Sequence, residues 1–123
     1  MDDIFKKIFT TKGRLNRLTH LKYQVIWITS VSLAIIIGSL TIEFLTGVPD
    51  SHWGQMIELF LTYVGFIGFF VIMVRRMHDL NLSGIFEFAI FVPVIGTFFL
   101  LYIFIAAGTV GANKYGEEMP DES

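Results

Sequence analysis

A short polar block between two long apolar runs carries the residues best suited to chemistry. Residues 75–84 read RRMHDLNLSG, and on a helix Arg75 would lie one turn from both His78 and Asp79. Guanidinium groups bind phosphate oxygens through paired hydrogen bonds, so Arg75 and Arg76 beside a histidine suit a phosphate-bearing group. The pattern therefore indicates a candidate ligand site for an anionic lipid headgroup or a soluble phosphate at Arg75, Arg76, His78 and Asp79.

The same block has a purely structural interpretation. Arginines at the end of an apolar run determine its orientation in a membrane, and Asp79 would neutralise one of them. The residues that follow, Asn81, Ser83 and Gly84, would then form the turn and the cap of the next helix. The residues alone leave both interpretations open.

Catalytic and metal-binding patterns are not recognisable elsewhere. The chain has no cysteine, which excludes thiolate metal sites and cysteine nucleophiles. No serine lies in a nucleophile elbow, and the glycine-rich residues 108–116 lack the strand and helix that flank a phosphate loop. Scattered polar residues match no metal-ligand spacing: Glu43, Asp50, His52 and Glu58. We predict no enzymatic activity, no cofactor and no metal, and the basic residues are too few to indicate nucleic-acid binding.

The composition predicts that the polar block lies at a membrane. Of 123 residues, 54% are hydrophobic and the mean hydropathy is +0.65, which is too apolar for a soluble core of that length. Apolar runs at about 23–45, 56–74 and 85–107 are each long enough to span a bilayer. We predict one membrane domain at 1–116, followed by an acidic, disordered tail at 117–123.

The basic residues are segregated along the chain, and this predicts its orientation. Six of the nine lie before the first apolar run, and two more follow the second. Because cytoplasmic segments carry an excess of Lys and Arg, the N-terminus is predicted to be cytoplasmic. Near the N-terminus, four apolar residues share one side of a helix flanked by lysines, which predicts an amphipathic interfacial helix: Ile4, Phe5, Ile8 and Phe9.

The third apolar run is compatible with two topologies because Pro93 and Gly96 interrupt it. A helix kinked at Pro93 would cross the membrane, whereas two half-helices of about eight and eleven residues would turn there and return to the inner face. Three helices offer little cover for the polar backbone of such a turn, so we favour the kinked span. The predicted fold is an all-α polytopic membrane protein with three transmembrane helices, the third Pro-interrupted, plus the interfacial helix.

Two classes of function fit these features. The leading hypothesis is a non-enzymatic protein that binds anionic phospholipid or a protein partner. A small-residue stripe at Ser30, Ala34 and Gly38 would support a homo-oligomer of this protein. The alternative is an oligomeric transporter or channel component in which acids line a path: Glu43, Glu58 and Glu87. A membrane hydrolase is a third class and would depend on His78.

Three ordered blocks resemble the small bacterial inner-membrane proteins grouped as domain-of-unknown-function family 805. They are Gly13, Arg14 and Arg17; residues 75–79 with Ser83 and Gly84; and Gly108, Thr109, Gly111, Asn113, Tyr115 and Gly116. Pro93 and Gly96 also match the family's final apolar segment. His20 and Leu21 stand where the family has an aromatic pair. The resemblance covers about residues 12–116 and implies a location in the bacterial inner membrane and this architecture, but no activity.

Overall fold

The computed structural model describes residues 6–117, and its regular elements are helical. They are α1, Arg17–Thr46; α2, His52–Asp79; a 3-10 helix, Gly84–Phe91; and α3, Ile95–Ile105. The all-α class is therefore confirmed. Ile4 and Phe5 of the predicted interfacial helix, and most of the predicted disordered tail, lie outside the described residues.

The chain divides into two compact units. The first, here called the arginine unit, combines the residues before 25 with those after 69, and the second, the two-helix unit, is Val25–Phe69. Helices α1 and α2 each contribute residues to both. The polar blocks singled out in the sequence all belong to the arginine unit.

Two helices are long and apolar enough to cross a membrane, by length and composition alone. These are α1, with 30 residues, and α2, with 28, and they contain the predicted runs 23–45 and 56–74. At about 1.5 Å per residue they measure roughly 45 Å and 42 Å. The most apolar stretch of α1 has no buried residue, so its surface requires an apolar environment outside the chain.

Within the two-helix unit, the two segments pack antiparallel through glycines of α2. The Trp27 Nε1 donates to the Gly65 carbonyl at 2.8 Å, and a Cβ on Gly68 would collide with the Trp27 ring. A Cβ on Gly65 would lie 3.0 Å from the Val31 side chain. Glycine at these positions therefore allows the close approach of the helices.

The predicted small-residue stripe takes part in this packing only at one end. A Cβ on Gly38 would lie 3.4 Å from Ile57, in ordinary contact, whereas Ser30 and Ala34 are exposed. The Ser30 hydroxyl donates to the Ile26 carbonyl of its own helix at 2.7 Å. A role of the stripe in an oligomer stays a prediction.

The prediction of a single kinked helix at 85–107 is wrong. The 3-10 helix and α3 pack against each other as a short hairpin, 84–105, in which Gly96 fits against the Ile90 carbonyl. At its tip Val94 has φ 67° and ψ −58°, and the Ile95 amide donates to the Pro93 carbonyl at 2.7 Å, which is a γ-turn. A helix cannot pass through a residue with this φ, so the chain reverses.

Both ends of the short hairpin lie beside the last turn of α2. The Gly84 end packs on Val74, and at the other end the carbonyls of Ile103 and Ala106 accept hydrogen bonds from Arg76. A segment whose ends meet the same helical turn cannot connect two faces of a hydrocarbon layer about 30 Å thick. Residues 84–105 therefore form two half-helices that reverse at Val94, whereas the number of membrane crossings stays a prediction.

Candidate functional site

Two arginines from distant blocks share one buried carboxylate. The Arg14 Nε and Nη2 lie 3.0 Å and 2.9 Å from Asp79 Oδ1, and the Arg76 Nη1 lies 2.6 Å from Asp79 Oδ2. The relative exposure of these residues is 3% for Arg14, 0% for Arg76 and 3% for Asp79. Buried charges are costly unless they are paired and hydrogen-bonded, and here each one is. We call these three residues the arginine lock.

The remaining donors of Arg14 hold the C-terminal block. Its Nη1 donates to the carbonyls of Gly111 at 2.6 Å and Gly116 at 3.2 Å, and its Nη2 donates to the carbonyl of Thr109 at 2.5 Å. With the Asp79 contacts, the planar guanidinium is surrounded by acceptors on every side. One side chain near the N-terminus thus orders the glycine-rich loop.

Arg76 likewise donates hydrogen bonds to backbone carbonyls, at the end of the short hairpin. Its Nε donates to the Ile103 carbonyl at 2.7 Å, its Nη2 donates to the Ala106 carbonyl, and its Nη1 reaches the Leu15 carbonyl at 3.4 Å. The last carbonyls of a helix have no partner within the helix and need one from elsewhere. Arg76 supplies partners to the C-terminal end of α3, where Ile103 is fully buried.

Gly108 and Thr109, at the start of the C-terminal block, pack against Asp79 of the lock. The Thr109 amide donates to the Asp79 backbone carbonyl at 2.7 Å, and a Cβ on Gly108 would collide with the Asp79 carboxylate. Only glycine leaves room for the carboxylate to accept from both arginines. This explains why a glycine stands first in the C-terminal block.

The rest of the C-terminal block folds onto His78. The Asn113 side-chain amide donates to the His78 carbonyl at 2.9 Å, and Asn113 and Gly116 exchange backbone hydrogen bonds across a turn. The Tyr115 ring stacks on the His78 ring with centroids 3.9 Å apart and planes 7° apart. The His78 Nδ1 in turn lies 3.0 Å from the carbonyl oxygen of Gly13.

The four residues of the predicted ligand site therefore have different roles. Arg76 and Asp79 are buried and bonded within the chain. Arg75 and His78 are half-buried, and the Arg75 Nη1 donates to the Lys7 carbonyl at 2.6 Å. The structural interpretation of Asp79, as the neutraliser of an arginine, is confirmed, and the Ser83 side chain caps the 3-10 helix through the Ile85 amide.

In the sequence, Arg14 and Arg17 indicate orientation and belong to the first family block, and no pattern connects them with the short hairpin. The Arg17 Nη1 donates to the Ile105 carbonyl at 3.2 Å. His20 is fully buried, lies with its Nε2 3.2 Å from the Gln24 Nε2, and has its ring 4.8 Å from that of Phe104. It thus occupies an aromatic packing position. No spacing rule relates residues that lie more than 60 positions apart.

The remaining acids lie elsewhere. In the two-helix unit, Glu58 accepts from the Ser39 hydroxyl at 2.7 Å beside Glu43 and Asp50, around a cavity of only about 10 Å³. In the arginine unit, Glu87 is half-buried, and one of its carboxylate oxygens has no hydrogen-bond partner within residues 6–117.

Comparison with known proteins places these blocks in one family. The family model described as "Protein of unknown function (DUF805)" matches residues 8–117. The inner membrane protein YhaI of Escherichia coli K12 is 40% identical over 117 residues, which cover 94% of this chain and 90% of the relative, and the protein of that name from Escherichia coli O157:H7 gives the same values. No solved structure matches. The chain is therefore a member of the DUF805 family.

Proposed function

We propose that this protein is a multi-pass protein of the bacterial inner membrane, with a cytoplasmic N-terminus, that binds anionic phospholipid through the arginine unit. The inner-membrane name of the relatives and the two long apolar helices support the location. The binding role is non-enzymatic and rests on charge. A protein partner with an acidic surface would use the same charges.

The single observation that carries the proposal is the distribution of charge between the two units. All nine Lys and Arg residues belong to the arginine unit, whereas the two-helix unit contains neither Lys nor Arg and has three acids, Glu43, Asp50 and Glu58. Membrane proteins concentrate Lys and Arg on the cytoplasmic side, where the leaflet carries anionic lipid. This asymmetry supports a cytoplasmic arginine unit in contact with anionic headgroups.

Because of the arginine lock, only some of the basic residues remain free to contact anionic headgroups. Arg14 and Arg76 are buried, and both form ion pairs with the equally buried Asp79. They therefore do not face a lipid surface. Six other basic residues are exposed: Lys6, Lys7, Lys12, Arg17, Lys22 and Lys114. Each Lys or Arg near an anionic leaflet contributes about 1 kcal/mol of attraction. Arg75 and His78 are the members of the predicted site that keep partial exposure.

Replacing Arg75 and His78 together by Gln should lower the retention of phosphatidylglycerol several-fold while the protein stays folded. Among residues 6–117 the Arg75 side chain donates to the Lys7 carbonyl, and His78 stacks on Tyr115, so both lie outside the lock. The measurement is native mass spectrometry of the purified protein after exchange into lipid-free detergent and titration with phosphatidylglycerol. Asp50→Asn, in the two-helix unit, is the control for a change of one charge. Equal retention by the double variant and the native chain would contradict the proposal.

A transporter or channel component is the second candidate, and the short hairpin favours it. Half-helices that turn within the membrane occur where they line a cavity or a path, and the partly buried Glu87 lies on the first of them. A chain of this size needs an oligomer for such a path, and the exposed Ser30 and Ala34 suit close packing of copies.

For this candidate, proteoliposome flux should be abolished by Glu87→Gln and retained by Glu43→Gln. Glu43 carries the same charge but lies in the two-helix unit. The assay compares cations and small anions across vesicles containing the purified chain. Complete absence of flux with the native chain would exclude this function.

A further inference from the structure

A cavity of about 180 Å³ opens in the arginine unit beside the lock. It is lined by Asn16, Arg17 and Asp79 and by residues 107–110. A water molecule takes up about 30 Å³ of liquid, and drug-sized pockets begin near 300 Å³. The cavity therefore suits a small polar group with part of its substituent, larger than one water molecule.

The charges around the cavity favour an anion. Among its described lining residues Asp79 is the only acid, and this carboxylate is already shared by Arg14 and Arg76. Arg17 is the guanidinium on the cavity wall, and with the two arginines bound to Asp79 it makes three positive groups for one negative group. A cation would meet a carboxylate whose charge is already compensated twice, whereas an anion would meet net positive charge.

Unused hydrogen-bond donors at the cavity match an oxyanion. Arg17 is exposed, and among residues 6–117 its one side-chain hydrogen bond goes to the Ile105 carbonyl. The backbone amides of Ala107, Gly108 and Val110 have no acceptor within the described part of the chain. A guanidinium edge together with backbone amides is the set of donors that proteins direct at phosphate oxygens.

We propose that this cavity binds a phosphate group through Arg17, carried either by an anionic phospholipid headgroup or by a soluble phosphate ester. The inference rests on the proposed function where the phosphate belongs to a lipid, because it locates headgroup binding at one site. Arg17 is then a phosphate-binding residue. It belongs to the same family block as Arg14 of the lock. The exposed lysines contribute only diffuse attraction.

The test uses the full-length purified chain and compares Arg17→Gln with Lys22→Gln. Both changes remove one exposed charge from α1, but only Arg17 lines the cavity. In the native mass-spectrometric titration with phosphatidylglycerol, Arg17→Gln should weaken binding about tenfold, as expected for the loss of a charge-assisted donor group. Lys22→Gln should change it less than about twofold, because an exposed charge is screened.

A steric variant and a soluble probe complete the test. Ala107→Phe fills the cavity without changing charge and should also weaken binding about tenfold. Glycerol 3-phosphate, titrated by ³¹P NMR, tests the soluble source: binding by the native chain that Arg17→Gln abolishes would assign the site to a free ester. Equal effects of Arg17→Gln and Lys22→Gln on the lipid, with no binding of the ester, would overturn the cavity proposal and leave the proposed function standing. Absence of both ligands from the native chain would overturn both.

Discussion

Asp79→Ala should destabilise the arginine unit by about 3–5 kcal/mol, the typical result of removing one partner of a buried ion pair. The variant leaves Arg14 and Arg76 buried without a counter-ion, at relative exposures of 3% and 0%. Thermal unfolding of the purified protein in detergent measures the effect. Arg75→Gln is the matched control, because within residues 6–117 the side chain of this neighbouring arginine makes no hydrogen bond or ion pair with the lock, and the variant should unfold close to the native temperature.

A second variant separates charge from hydrogen bonding within the lock. Replacing Arg14 and Arg76 by Met together with Asp79→Leu removes every buried charge, and such replacements are often tolerated when charge pairing is the main interaction. Here the two arginines also donate to six carbonyls: those of Leu15, Ile103, Ala106, Thr109, Gly111 and Gly116. We therefore expect the triple variant to remain unstable. A stable triple variant would show that the lock acts through charge alone, and native-like unfolding of Asp79→Ala would disprove the lock itself.

A cysteine at Glu117 should react with an impermeant thiol reagent from the same side of the membrane as a cysteine at Lys12. The chain has no native cysteine, and all labelling therefore reports on the introduced residue. We expect labelling from the same side because both ends of the short hairpin meet the last turn of α2. The hairpin therefore returns the C-terminal block to the membrane face at which α2 ends. The expected result is all-or-none protection, since a bilayer core of about 30 Å separates the alternatives.

Val48→Cys, in the connection between α1 and α2, is the reference for the opposite side. It should be labelled only from the periplasm if both long helices cross the membrane. Spheroplasts and inverted vesicles expose the two faces in turn. Labelling of Glu117→Cys from the side of Val48→Cys would mean that residues 84–105 cross the membrane as one span, contrary to the hairpin.

The helical class and the two long apolar helices could be predicted because they depend on local properties. A run without charge over some twenty residues determines a long apolar helix wherever it lies in the chain. The Ser83 cap and the break at 93–96 were likewise visible, since capping and the loss of an amide donor at Pro93 act over a few residues. The predicted boundaries of the first two runs fall inside α1 and α2.

The consequence of the break at Pro93 was not visible, because local residues allow both a kink and a reversal. The reversal requires polar partners for the backbone at the returning end, and the sequence argument assumed that a small protein had none. Arg76 and Arg17 provide them at the carbonyls of Ile103, Ala106 and Ile105. Side chains far from Pro93 in the sequence therefore determine that the chain reverses there and does not continue as a kinked helix.

By itself the sequence determined which residues carry charge, which segments are apolar and which three blocks matter. Only the tertiary structure decided that these blocks form one assembly, with Arg14 and Asp79 in contact across 65 positions. It also decided that Arg76 is structural whereas its neighbour Arg75 keeps exposure. The physical reason is that a buried charge must find its partner in three dimensions, and the periodicity of a helix gives no information about partners beyond a few turns.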